Sequence, residues 1–460
     1  MLTALLNLIL LSILQFFAGT GLLAMFKIRL KPWIFLPIAL LTGLAAFSFL
    51  PFLLQLFYLP LTAFNISLSL VILSWLVNIP LAKRLEFLRD SLSGISFRFK
   101  LYEIPPLLLI AFIVAVSIWR CYYYPPTPRD LTSGAEVIAE YAIREKTMIN
   151  SVFSLNLEST NNPFKPPFIT CLQIIYKYAG FSFGQIWLSI VFVCFLVFLY
   201  QVLSTYLHKL FSALLLLFFL AIPEMYAYTF MALFDYSNAV FFCLSLYFLF
   251  EYFKNGKTGW LAFSGLLMGI ATYIRSETLL LVPLIAITLF VHYWRKKNNW
   301  KNLIIGSALL LIPATLIYIL SVTIYIGFYL PVKYPVGNLL RANLWNPLPL
   351  IQRFGQMNDQ ILFSKSGMML FGYFIYVFVG VLLVDAVWKE KWDTRSLNWL
   401  FGALVVYLGL PFIAFLFPLF DLDHTTKRGL FKIFPLMLLY MGNSRFLIHL
   451  SERIREWEKS

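Results

Sequence analysis

Charge is what this chain has least of. Only 12% of its 460 residues are Asp, Glu, Lys or Arg, about half the share found in a soluble domain. Residues 1–26 carry no charge, and neither do residues 32–82. About 20 consecutive apolar residues span a bilayer, so these runs exclude a soluble globular protein. Cysteine is scarce too. Cys121, Cys171, Cys194 and Cys243 form no CxxC pair, and the last two fall in apolar runs. Cys121 and Cys171 flank one segment outside the membrane and are the two that could be bridged. A basic face with interleaved aromatics is also missing, which excludes a nucleic-acid partner despite a formal net charge of +15.

What remains is 61% hydrophobic and 18% aromatic. Apolar runs punctuated by charge predict an all-α, polytopic transmembrane helical bundle of about thirteen spans. They fall near 3–25, 33–57, 60–82, 104–120, 183–205, 210–223, 237–251, 259–274, 278–294, 303–328, 367–385, 397–418 and 429–448. Alternate loops are basic, from Lys27, Arg29 and Lys31 through Lys83–Lys100, His208–Lys209, Lys254–Lys257, Arg295–Lys301 and Lys389–Arg395 to the tail Arg445–Lys459. Positive-inside logic puts these loops in the cytoplasm. The outer side then receives residues 121–182, 329–366 and 419–428. The two longer segments read as lids or surface helices over a membrane-embedded site.

The acidic residues that stand out share that outer face. Tyr122-Tyr123-Tyr124-Pro125-Pro126 gives an extended lead-out from the membrane. Ser133 with Glu136 is a capping-box pattern that opens a helix over 134–146. Asp130 stands just before this helix, either as its cap or as a functional carboxylate. Asp235 sits between Phe234 and Tyr236 where the chain re-enters the membrane. Arg275-Ser276-Glu277 forms the apex of a tight helical hairpin, and Gly265, Gly269 and Ala271 on its rising arm would permit its close packing. That Arg and Glu either pin the hairpin or brace a site made by their neighbours. Ionisable groups at membrane depth are costly and usually functional.

Cations collect on the same side. Lys165, in Asn161-Asn162-Pro163-Phe164-Lys165-Pro166-Pro167-Phe168, faces either an anionic lipid substrate or a lipid headgroup. Lys333, Arg341 and Arg353 add positive charge suited to a phosphate leaving group. Asp421, Asp423 and His424 have the donor types for a divalent cation, but their spacing equally suits a solvated loop. No other cofactor is implied.

This pattern resembles the GT-C superfamily of polytopic glycosyltransferases, in the branch holding protein O-mannosyltransferases and the lipid A aminoarabinose transferase. The matching elements are Asp130 in a large first outer loop, Lys165-Pro166-Pro167-Phe168, and Asp235-Tyr236 opening a later span. The passage from Gly265 through Gly269 to Arg275-Ser276-Glu277 is similar to the family's GLLxGLAxLTRPEG, with Ser276 in place of its proline. The likeness divides the chain into N-terminal membrane helices (1–103), a catalytic core (104–300, with outer loop 121–182) and C-terminal membrane helices (301–460, with outer loop 329–366).

The resemblance implies transfer of a sugar from a polyprenyl-phosphate donor to a hydroxyl of a lipid, glycan or protein, with inversion. It implies Asp130 as base, Asp235 orienting the acceptor or Asp130, and Lys165, Arg275 and Lys333 as partners of the phosphate, with Glu277 and Arg341 beside them. The expected location is a bacterial inner membrane, with the site facing the periplasm and membrane lipids around it. A transporter or lipid-linked glycan flippase, a surface-polysaccharide polymerase or ligase, and a structural subunit are the competing readings. A transporter would carry broken helices and midplane charges. A polymerase or ligase would carry its main outer loop late in the chain.

Overall fold

The computed structural model describes residues 2–95, 100–126, 134–154, 165–295, 300–330, 346–388, 393–417 and 426–458. Among them every regular element is helical. In chain order the helices that matter here are α1 (Leu2–Met25), α2 (Pro32–Leu56) and the bent pair α3 (Ala63–Leu76) and α4 (Leu81–Leu92). There follow α5 (Leu101–Tyr123), α6 (Glu136–Glu145), α7 (Phe168–Tyr178), α8 (Ile186–Leu203), α9 (Lys209–Leu220), α10 (Phe234–Asn255) and α11 (Thr258–Ile274). The C-terminal part holds α12 (Ser276–Trp294), α13 (Trp300–Tyr329), the bent pair α14 (Lys365–Phe371) and α15 (Phe374–Val387), and α16 (Thr394–Leu416). Last comes the bent pair α17 (Lys427–Gly442) and α18 (Arg445–Trp457).

Seven of these helices are long and apolar enough to cross a membrane, or up to ten if each bent pair is one span. The thirteen spans read from the sequence exceed that range. The difference lies partly in α9 and α11, expected as spans at 210–223 and 259–274, which are apolar but shorter than the usual span. Trp119, Tyr122, Tyr123 and Tyr124 are exposed at the end of α5, as in an interfacial aromatic belt.

The core is built around α10. Its apolar residues occupy every face, and from Phe234 to Phe250 every residue is buried. A helix apolar all round belongs in an interior. Gly256, at φ 69°, ends it in the left-handed region and donates its N–H to the Tyr252 carbonyl. Ser245 and Ser264 tie α10 to α11 reciprocally, each hydroxyl donating to the other's backbone carbonyl at 2.8 Å. Hydrogen bonds across membrane helices are worth about 0.6 kcal/mol each.

The glycines of α11 serve a different neighbour from the one expected. A Cβ on Gly265 would lie 2.0 Å from the Leu309 carbonyl oxygen, and one on Gly269 would lie 3.2 Å from that of Pro313. They admit the backbone of α13, not the other arm of the Arg275 hairpin. Small residues allow this approach because no side chain separates the helices.

Two further expectations change. The outer-loop segment 121–182 does contain α6, but Lys165-Pro166-Pro167 leads into α7, whose residues Phe168 to Tyr176 are buried. α7 is therefore an interior helix, with its polar residues Gln173 and Lys177 turned to Glu136. The capping residue Ser133 lies outside the described residues. Glu136 turns instead to α7, accepting from Gln173 Nε2 at 2.5 Å and pairing with Lys177 at 2.6 Å. Cys121 and Cys171 are both free and buried. Their sulfurs face different partners: Cys121 the Thr229 carbonyl at 3.7 Å, Cys171 the Met148 sulfur at 3.9 Å.

Candidate active site

Three helix ends converge on one cluster of charge. Asp235 stands in the first turn of α10, Arg275 caps the end of α11, and Glu277 lies in the 3₁₀ turn that opens α12. Arg275 Nη1 donates to Asp235 Oδ1, and its Nε forms an ion pair with Glu277 Oε1. One guanidinium therefore bridges two carboxylates. Asp235 is 3% exposed and Arg275 4%. Charges this deep persist only when paired.

The surrounding backbone holds the pair in place. Asn238, one turn along α10 from Asp235, donates from Nδ2 to the Ala271 carbonyl at 2.6 Å and to Thr278 Oγ1 at 3.0 Å. That side chain ties α10 to the end of α11 and to the start of α12, the elements that carry the triad. The hydroxyls of Tyr236 and Ser237, next to Asp235, are buried and make no hydrogen bond among the described residues.

Lys432 joins the cluster from α17, with its side chain buried. It shares with Glu277, Thr426 and Ala414 a cavity of about 10 Å³, close to the space one water needs. Lys165 approaches from the segment before α7; its Nζ lies 5.3 Å from the centre of the Phe234 ring, and it acts electrostatically on Glu277. A second ring surrounds these groups. Lys427 pairs with Glu224 at 3.1 Å. The Tyr228 ring stands edge-on to Phe431, their centres 4.7 Å apart. Burial pushes the Tyr228 phenol up, opposed by the charges of Arg428 and Arg275.

The structure thus brings together Asp235, Arg275 and Glu277 with Lys165 at their edge. Asp130, Lys333, Arg341, Asp421, Asp423 and His424 lie outside the described residues. Sequence reasoning missed Lys432, Glu224, Tyr228 and the involvement of Lys427 and Arg428. The available signal was Lys432 itself, a lysine inside the apolar run Leu430–Leu439, where an ionisable group calls for a partner.

Among the described residues, no group of three or more His, Cys, Asp or Glu side chains is arranged to hold a metal ion. The cluster sets two carboxylates, Asp235 and Glu277, among the basic side chains Arg275, Lys432 and Lys165. Basic side chains line it from three directions, and the bridged carboxylates fix the guanidinium's position.

Residues 165–319 match a family model described as dolichyl-phosphate-mannose-protein mannosyltransferase. The match covers about a third of the chain. It begins at Lys165, includes Asp235, Arg275 and Glu277, and stops before Lys432. No curated protein and no solved structure matches the chain. The family match bears out the resemblance to the GT-C superfamily.

Proposed function

We propose that this chain, a membrane glycosyltransferase of the GT-C type, moves a sugar from a polyprenyl-phosphate donor to an acceptor hydroxyl at the outer face of the membrane. The observation that carries the reading is the Arg275 bridge between Asp235 and Glu277, within the matched segment and flanked by Lys432. Lipid-linked sugars leave a phosphate behind, and such a leaving group needs fixed cations more than a strong acid.

In the proposed step the acceptor oxygen attacks the anomeric carbon from the face opposite the phosphate. A new carbon–oxygen bond forms as the sugar–phosphate bond breaks. The electron pair departs on the phosphate oxygen, and the hydroxyl proton passes to Asp130. The configuration inverts. Asp235 is a positioning residue in this scheme, because its carboxylate is already engaged by the Arg275 guanidinium. Arg275, Lys432, Lys165, Lys333 and Arg341 supply positive potential for the phosphate. The acceptor is a hydroxyl of a lipid, glycan or protein, and the membrane is a bacterial inner membrane with the site facing the periplasm.

The test is transfer from radiolabelled polyprenyl-phosphate sugars in membranes holding equal amounts of wild type or Asp130→Asn. Losing a general base costs on the order of 100-fold or more, so label transfer should fall by that factor. Equal transfer by both proteins would remove Asp130 from the mechanism.

A further inference from the structure

A second cavity lies at the other end of the same helices. It has a volume of about 840 Å³ and is lined by α10, α12 and α16 with parts of α8. That volume falls within the range of small-molecule and lipid pockets. At roughly 1.5 Å per residue, Lys254 at its rim stands about 28 Å along α10 from Asp235. Arg395, also at the rim, is about as far along α16 from Ala414, which lines the small cavity beside Glu277 and Lys432. The two sites are therefore separated by close to a membrane thickness.

The lining has two parts. One is apolar and aromatic: Tyr247, Phe250 and Trp399 are buried walls, the last two with ring centres 4.9 Å apart. Leu397, Phe401 and Leu404 continue this wall onto the exposed surface of α16. The other part is a charged rim of two opposite-sign pairs. Lys254 meets Glu251 at 3.7 Å, and Arg395 meets Asp393 at 2.9 Å. Both pairs are partly exposed, so each is weak and open to exchange of partners. Arg395 also lies over the Tyr206 ring at 4.8 Å, and His292 stacks on Phe253 at 4.3 Å.

We propose that this cavity holds a zwitterionic aminophospholipid. Its phosphate sits between Arg395 and Lys254, its primary ammonium donates to Glu251 and Asp393, and its proximal acyl carbons lie along Leu397, Phe401 and Leu404. Charge complementarity selects this occupant. An anionic phospholipid with no ammonium would press its phosphate against two carboxylates. A quaternary ammonium carries the charge but has no N–H to donate to them. The inference uses the cavity and its rim alone and is independent of the transferase reading.

The test is native mass spectrometry of the whole protein, purified and delipidated in mild detergent. It is then offered phosphatidylethanolamine, phosphatidylcholine and phosphatidylglycerol at equal concentration. The ethanolamine adduct is expected to exceed each of the others by about tenfold, the equivalent of about 1.4 kcal/mol. Arg395→Gln should lower all adducts, whereas Glu251→Gln with Asp393→Asn should abolish the preference over phosphatidylglycerol. Equal retention of the three lipids, preference for phosphatidylglycerol, or a preference unchanged by these substitutions would overturn the proposal. If the rim variants do not fold, Asn398→Trp decides by filling the cavity from its half-exposed wall. Loss of the ethanolamine adduct supports the proposal, and its survival overturns it.

Discussion

Arg275 and Asp235, forty positions apart in the chain, meet in a buried ion pair where the end of one helix abuts the start of another. Glu277, only two residues from Arg275, pairs with the same guanidinium. The arrangement joins α10, α11 and α12 through one side chain, and it makes each member costly to remove alone.

Breaking a buried pair from one side leaves an uncompensated charge and costs about 3–5 kcal/mol. Arg275→Ala strands two carboxylates and should lower the thermal unfolding temperature in detergent by a margin of that order, whereas Asp235→Ala leaves the guanidinium on Glu277 and should cost less. The double variant should lose less than the sum, because Asp235 and Arg275 are then removed together and only Glu277 is left, facing Lys432 and Lys165. Additive losses would show that the pair is not coupled.

Lys432→Met keeps the length and apolar stem of the side chain while removing its ammonium. Volume-conserving replacements in cores usually cost less than about 1.5 kcal/mol, so unfolding should change little. Sugar transfer at saturating donor should fall on the order of tenfold or more if the ammonium faces the developing phosphate charge. Wild-type turnover in the Met variant would assign Lys432 to packing alone.

Gly265→Ala forces a Cβ to 2.0 Å from the Leu309 carbonyl oxygen. Overpacking of this kind costs about 1–3 kcal/mol, read as a lower unfolding temperature. Gly355→Ala, where an added Cβ meets nothing within 4 Å, is the control and should be neutral or slightly stabilising. Similar effects at the two positions would contradict the close approach of α11 and α13.

Glu458 links three distant segments by accepting from Lys100 Nζ at 2.8 Å and lying 3.1 Å from His208 Nε2. The hydrogen bond from Lys100, with smaller help from Tyr102 and His208, holds its carboxyl down at about 2 against an ordinary 4.5. A depressed carboxylate contributes stability that is complete above its unfolded pKa and is lost as pH falls through its folded one. Wild type should therefore lose stability between about pH 4.5 and 2 in a way that Glu458→Gln does not, as followed by tryptophan fluorescence. Parallel acid profiles for the two proteins would rule out this link.

The membrane helical class was legible in the sequence because charge-free runs such as 1–26 and 32–82 admit no other solvent. So was part of the candidate site. Asp235, Arg275 and Glu277 stood out because an ionisable residue at the end of an apolar run is costly wherever the chain goes next. Gly265 and Gly269 signalled a close helix contact. What only the tertiary structure decided was the partner in each case. α10 and α11 carry apolar residues on all faces, so their sequences have little periodicity to say which side meets which neighbour. The glycines of α11 consequently meet α13. α7 lies inside, not at the surface, because α6 covers its polar residues Gln173 and Lys177. Lys432 reaches Glu277 from a helix more than 150 positions away, and no local pattern encodes a pairing made by long-range packing.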